Sequence, residues 1–192
     1  MFKLLENNAI IIGPVRLSYL SCYRPFKSRL TGKETYRVTA LMPKGDSKPF
    51  AMPKDDIDKL QKHINSVRKG AFGDTKGVKL CMKDGDRLDD DGEPLSEGNW
   101  VLSLESKFKP RIIDGNRNEV PETDGWTSGD WGNVMLSFWT YNNAEGRGIS
   151  ANFLAVQFTH KDEPLGGSTK VDTSEFPEVP VSGGEYDPFA DE

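Results

Sequence analysis

The chain predicts a mainly β fold, with about five strands closing into a small barrel, one helix inserted between the early strands, and a disordered acidic C-terminal tail. Three observations carry this expectation. Alternating and β-branched runs recur between residues 10 and 158. One segment alone repeats its apolar residues at helical spacing. The last 21 residues, 172–192, hold seven acids and no Lys or Arg. The whole chain has 25 basic and 30 acidic side chains, so without that tail 25 stand against 23 and the body is +2. A weakly basic body with an acidic arm points to a polyanion as ligand, and to an arm that imitates it.

Residues 10–20 form the first extended run, interrupted by Gly13-Pro14. Residues 36–42 place Tyr36, Val38, Ala40 and Met42 on one face, with Arg37 and Thr39 on the other. Ile57, Leu60, Ile64 and Val67 then recur at steps of 3, 4 and 3, a single helical stripe. Asp55 and Asp56 suit its N-cap and positive dipole end, and Gly70 suits its stop. Trp100, Leu102 and Leu104 alternate with Val101 and Ser103. Residues 134–141 and 149–158 are two longer strands, joined by a hairpin-type loop at 142–148. An oligonucleotide-binding (OB) barrel, built from about five strands and a helix, is the leading form, with a β-sandwich as its rival. Beyond Lys161 the glycines, prolines and serines show no core periodicity, which sets the domains at 1–165 for the barrel and 166–192 for a disordered tail.

Composition narrows the function. No run approaches the ~20 apolar residues that a membrane helix needs, and no signal sequence is visible, so an intracellular protein is expected. Cys22 and Cys81 stand apart without CxxC or neighbouring His, which predicts reduced thiols, no metal and no cofactor. Phosphate-loop, GxSxG and HExxH patterns are lacking. Gly146-x-Gly148 lies between strands, where it makes a turn. The acids between Asp84 and Glu93 fit neither register of a calcium loop, because Leu88 and Pro94 interrupt it. They read as a solvated turn, with a Mg²⁺-dependent nuclease as the remote alternative.

Three segments carry binding chemistry. Residues 16–48 hold Arg16, Arg24, Lys27, Arg29, Lys33, Arg37, Lys44 and Lys48 against Glu34 and Asp46, a local net of +6. Tyr19, Tyr23, Phe26 and Tyr36 are interleaved with them. Lys107, Phe108, Lys109 and Arg111 repeat the mixture. Trp139 and Tyr141 fall on the non-core face of their strand. Cations that follow phosphates beside rings that stack on bases are what single-stranded nucleic acid requires. The bland alternative, rings in the core and charges on a solvated face, is open for each segment.

Certain stretches in order are more specific than any one motif. They are Pro14-Val15-Arg16-Leu17-Ser18-Tyr19; Tyr36-Arg37-Val38 leading to Leu41-Met42-Pro43-Lys44-Gly45-Asp46; and Lys83-Asp84-Gly85-Asp86. Residues 107–114 and 129–141 follow, then Gly146-Arg147-Gly148-Ile149 and Ala155-Val156-Gln157. Over roughly residues 10 to 167 the chain resembles the single-stranded DNA-binding proteins of tailed phages. The resemblance implies an OB-type barrel, no enzymatic activity, and DNA coating during phage replication or recombination in the cytoplasm of the infected bacterium. Arg147 joins the candidate DNA contacts. Double-stranded DNA is left open as a further ligand, and a replication or recombination adaptor is the alternative reading. Tyr186, Asp187, Pro188, Phe189, Asp191 and Glu192 form a tail similar in kind to the acidic, Phe-bearing tails of bacterial and phage single-strand binders. That implies replication or recombination proteins as partners. Here Ala190-Asp191-Glu192 follow Phe189, so the terminal carboxylate is displaced from the ring. A flexible 21-residue arm spans about 25 Å root-mean-square, enough to reach a groove on its own body.

Overall fold

The computed structural model describes residues 1–166 apart from positions 46, 90 and 145. In chain order its elements are β1 (Phe2–Leu4), β2 (Ile10–Lys27), β3 (Glu34–Pro43), α1 (Lys54–Phe72), β4 (Lys79–Leu80), β5 (Met82–Asp84), β6 (Asn99–Ser106), β7 (Arg111–Ile113), β8 (Trp131–Asn143) and β9 (Gly146–His160). Five of the strands close a ring: β2 pairs β3, β3 pairs β6, β6 meets β9, β9 pairs β8, and β8 returns to β2. The closing contact is a parallel one, Glu105 opposite Asn152. This is the expected five-stranded barrel with a single helix.

Alternation fills the interior. Val38, Ala40 and Met42 point inward from β3, as do Leu102 and Leu104 from β6, and Val134 and Leu136 from β8. In β2 the inward set changes phase from Ile10 and Ile12 to Val15 and Leu17. The cause is a register shift against β8 between Ile12 and Val15, at Gly13-Pro14. Gly13 has φ 139°, and a Cβ there would lie 2.6 Å from the Asn133 side-chain oxygen. β9 changes phase in the same way between Phe153 and Val156, where Leu154 is the extra residue.

Helix α1 buries Ile57, Leu60 and Ile64 against the barrel, as the stripe predicts. At about 2 kcal/mol per buried aliphatic chain, these three anchor it by roughly 6 kcal/mol. Both ends differ from expectation. Pro53 occupies the N-cap without a side-chain bond, and Asp55 and Asp56 lie in the first turn, where they still favour the dipole. Gly70 sits inside the helix. Gly73 ends it, at φ 62° with its N–H bonded to Lys69 O at 2.9 Å. No helix among the described residues is long and apolar enough to cross a membrane. Cys22 and Cys81 are free thiols, each pushed up to about 12 by burial.

Candidate nucleic-acid interface

The residues that β3 turns away from the core, Arg37 and Thr39, open onto a cleft of about 1030 Å³. β6 contributes Ser103 and Glu105 to it, and the β8–β9 pair contributes Tyr141 and Ser150. Its second wall is the stretch 77–84 with Arg87, which carries β4 and β5 and supplies Lys79, Lys83 and Arg87. The cleft thus lies over the second and third barrel strands, between the two hairpins β2–β3 and β8–β9, the face on which OB barrels hold oligonucleotides.

Two rings and a guanidinium dominate the cleft. Tyr19 sits at φ 48°, beside the register shift between Ser18 and Ser21. A large residue with positive φ is held against its preference, at a cost of order 1–3 kcal/mol. The bulge leaves the ring 68% exposed, on the cleft side. The Arg37 guanidinium lies 3.3 Å from the Phe26 ring centroid and 5.8 Å from that of Tyr19. Its Nε is buried without a hydrogen-bond partner. Tyr141 stands across the cleft, 5.7 Å from Trp139 at an interplanar angle of 53°. A Cβ at Gly148 would come within 2.5 Å of the Tyr141 hydroxyl, so this ring position requires glycine opposite it.

A second depression, about 410 Å³, shares no lining residue with the cleft. It takes in Tyr23, Arg24, Phe26 and Lys27 of β2, with Glu122 and Trp126. Arg24 pairs with Glu122 at 3.1 Å. Tyr23 packs against the core with its hydroxyl buried and unpartnered, and burial pushes it up to about 12. The expected basic-aromatic residues therefore divide between two concavities at the root of the β2–β3 hairpin.

The other candidates are placed as follows. Tyr36 packs on the edge of the core. Arg29 is exposed in the hairpin turn, and Lys33 pairs with Glu105 at 3.5 Å. Phe108 is 82% exposed in the β6–β7 loop, flanked by exposed Lys107 and Lys109, and lines neither concavity. Arg111 pairs with Glu119 at 3.5 Å. Arg16 bonds the carbonyls of Gly129 and Glu163 at 3.3 and 3.1 Å, and Arg147 bonds that of Lys76 at 2.6 Å. These last two guanidiniums tie loops together. The tail residues Tyr186, Asp187, Pro188, Phe189, Asp191 and Glu192 lie outside the described residues. Lys79, Lys83 and Arg87 were missed from the sequence. The signal available was cations spaced by four, running from the stretch after the helix into the acidic turn.

The acidic turn has internal work. Lys44 bonds both Asp84 and Asp86, and Asp86 also accepts the Gly98 N–H. The Lys44 hydrogen bond is the main cause holding both carboxyls below the usual range, and those bonds in turn raise Lys44. Lys44 also stands 4.9 Å from the Trp100 ring centroid. These acids therefore brace β5 and β6 against the end of β3.

Comparison with known proteins identifies the family and the fold. The family described as Enterobacter phage Enc34, ssDNA-binding protein, matches residues 8–184. The solved single-stranded DNA-binding protein from bacteriophage Enc34 in complex with ssDNA is 27% identical, with TM-score 0.68 over 86% of this chain and 93% of that one. Putative protein p50 of Acyrthosiphon pisum secondary endosymbiont phage 1 is 27% identical over 185 residues, 90% of this chain and 95% of its own. The bacteriophage T7 single-stranded DNA binding protein gp2.5, at 12% identity and TM-score 0.53, shares the fold. The chain belongs to the family of the Enterobacter phage Enc34 single-stranded DNA-binding protein.

Proposed function

We propose that this protein binds single-stranded DNA with little sequence preference, and coats it during phage replication or recombination in the cytoplasm of the infected host. One observation carries the reading: Tyr19, Arg37 and Tyr141, from three barrel strands, converge on one open cleft across the OB face. Every base has a π-face, so rings of this kind bind without reading sequence. Arg37, Lys79, Lys83 and Arg87 meet the phosphates, with Lys27 and Arg29 on the adjoining hairpin. The protein acts stoichiometrically, without catalysis. Residues 1–165 are the DNA-binding unit, and 166–192 are an acidic arm that competes for the cations at low salt and presents Tyr186 and Phe189 to replication proteins.

A salt titration of oligo(dT) binding tests this. About six neutralised phosphates give a log–log slope near −4 on a single strand. A slope near zero would remove the electrostatic basis of the proposal.

A further inference from the structure

The hairpin between β2 and β3 extends past the barrel. β2 stops pairing with β8 at Arg16–Trp131, and β3 begins pairing with β6 only at Tyr36–Ser106. Beyond these points Phe26–Thr35 and Lys27–Glu34 pair with each other and with no third strand among the described residues. The arm ends in a turn closed by its own bonds, Gly32 N–H to Ser28 O at 2.8 Å and Ser28 N–H to Lys33 O at 2.9 Å. At its apex Leu30 is 98% exposed. Lys27 and Arg29 precede it on the β2 side and enter no ion pair with any described residue, whereas Lys33, on the β3 side, is tied to Glu105. The root of the arm adjoins the cleft, because Phe26, which lines the second depression, carries the guanidinium of Arg37, which lines the cleft.

We propose that this arm recognises the junction between single- and double-stranded DNA, with Leu30 as a wedge against the last base pair and Lys27 and Arg29 on its phosphates. The inference rests on the cleft holding the single strand. The chemistry of the apex favours paired over unpaired bases. A splayed base is best held by a flat ring, which this tip lacks. An aliphatic side chain beside cations is the kind of group that proteins insert at a base step. A two-stranded ribbon also has the width that a duplex groove admits. A strand leaving the cleft at its Tyr19–Arg37 end meets this arm where the duplex begins.

The test uses the full chain and three probes: a dye-labelled oligo(dT), the same tract ending in a hairpin duplex, and a blunt duplex. The tailed duplex is expected to bind about fivefold more tightly than the bare tract, the share of one partly buried leucine. Leu30→Ala and Leu30→Asp remove that increment and leave oligo(dT) binding unchanged, while Leu30→Met keeps it. Because Leu30 touches solvent alone, these variants fold. 2-Aminopurine in the terminal pair brightens with the wild type and Leu30→Met only. Equal affinity of the wild type for the tailed duplex and the bare tract overturns the inference. So does a Leu30→Ala loss that is equal on both, or an effect of Leu30→Asp confined to cooperativity on long tracts, which would make the apex a contact between copies. Failure of the wild type to bind oligo(dT) at all would instead remove the proposed function on which the junction rests.

Discussion

Replacing Arg37 separates the charge of the cleft from its shape. The guanidinium has two tasks in the structure: it presents charge to the cleft and sits over Phe26, 3.3 Å from the ring centroid. Arg37→Ala removes one phosphate contact, which takes about 0.7 from the magnitude of the single-strand salt slope. It also frees the Phe26 ring beside Tyr19, and together the two effects are expected to weaken oligo(dT) binding about tenfold. Folding should hardly change. The lost packing on Phe26 is offset by removal of an Nε that is buried without a partner. Arg37→Lys keeps the charge and loses the planar stack, so its slope should match the wild type while its affinity falls. Fluorescence anisotropy of labelled oligo(dT), from about 50 to 200 mM salt, reads both quantities. If Arg37→Ala left slope and affinity alone, the cleft would not be the DNA path.

Three further outcomes follow from the same structure. Tyr19→Ala should weaken oligo(dT) binding by roughly 1–3 kcal/mol without altering the salt slope, and Tyr19→Phe should retain most of the affinity; equilibrium titrations of both variants decide this. Deleting residues 172–192 should tighten oligo(dT) binding at low salt and converge with the full chain at high salt, because the competition is ionic; unchanged or weaker binding at low salt counts against it. Asp162 is held below its ordinary value of 3.8, first by the Trp131 indole N–H at 2.8 Å, then by the Glu163 N–H, with Lys48 and Arg16 nearby. A carboxyl lowered in the folded state stabilises fully above pH 3.8 and loses that contribution as the pH falls through its folded value. Asp162→Asn should therefore lower the melting temperature by about 2–4 °C at neutral pH, with the gap closing in acid, as thermal melts followed by circular dichroism over a pH series would show.

The barrel was legible because β3 and β6 announce themselves by alternation, β2, β8 and β9 as long extended runs, and the helix by its stripe. What escaped has local causes. The loop expected at 142–148 is mostly strand, since β8 and β9 stay paired as far as Asn143–Gly146. Glycines there signal a turn by composition, yet Gly148 serves to let the Tyr141 ring lie across its backbone. Alternation loses count at a bulge, so residues beyond Gly13, Tyr19 and Leu154 change face without notice. Tyr19 became the most exposed ring of the cleft through a positive φ that its residue type does not foretell. β4 and β5, at two and three residues, are too short for any period, and the cations they bring to the cleft went unread with them. Arg16 and Arg147 bond backbone carbonyls, a placement the sequence does not foretell, since composition cannot tell a guanidinium facing solvent from one bonded to carbonyls.

The most direct test is photocrosslinking of oligo(dT) carrying 5-iodouracil, with the attachment sites mapped by peptide sequencing. DNA lying along the cleft should attach at Tyr19 and Tyr141. Attachment confined to Phe108 or Trp126, with both tyrosines unmodified, would place the DNA elsewhere on the barrel and contradict the account.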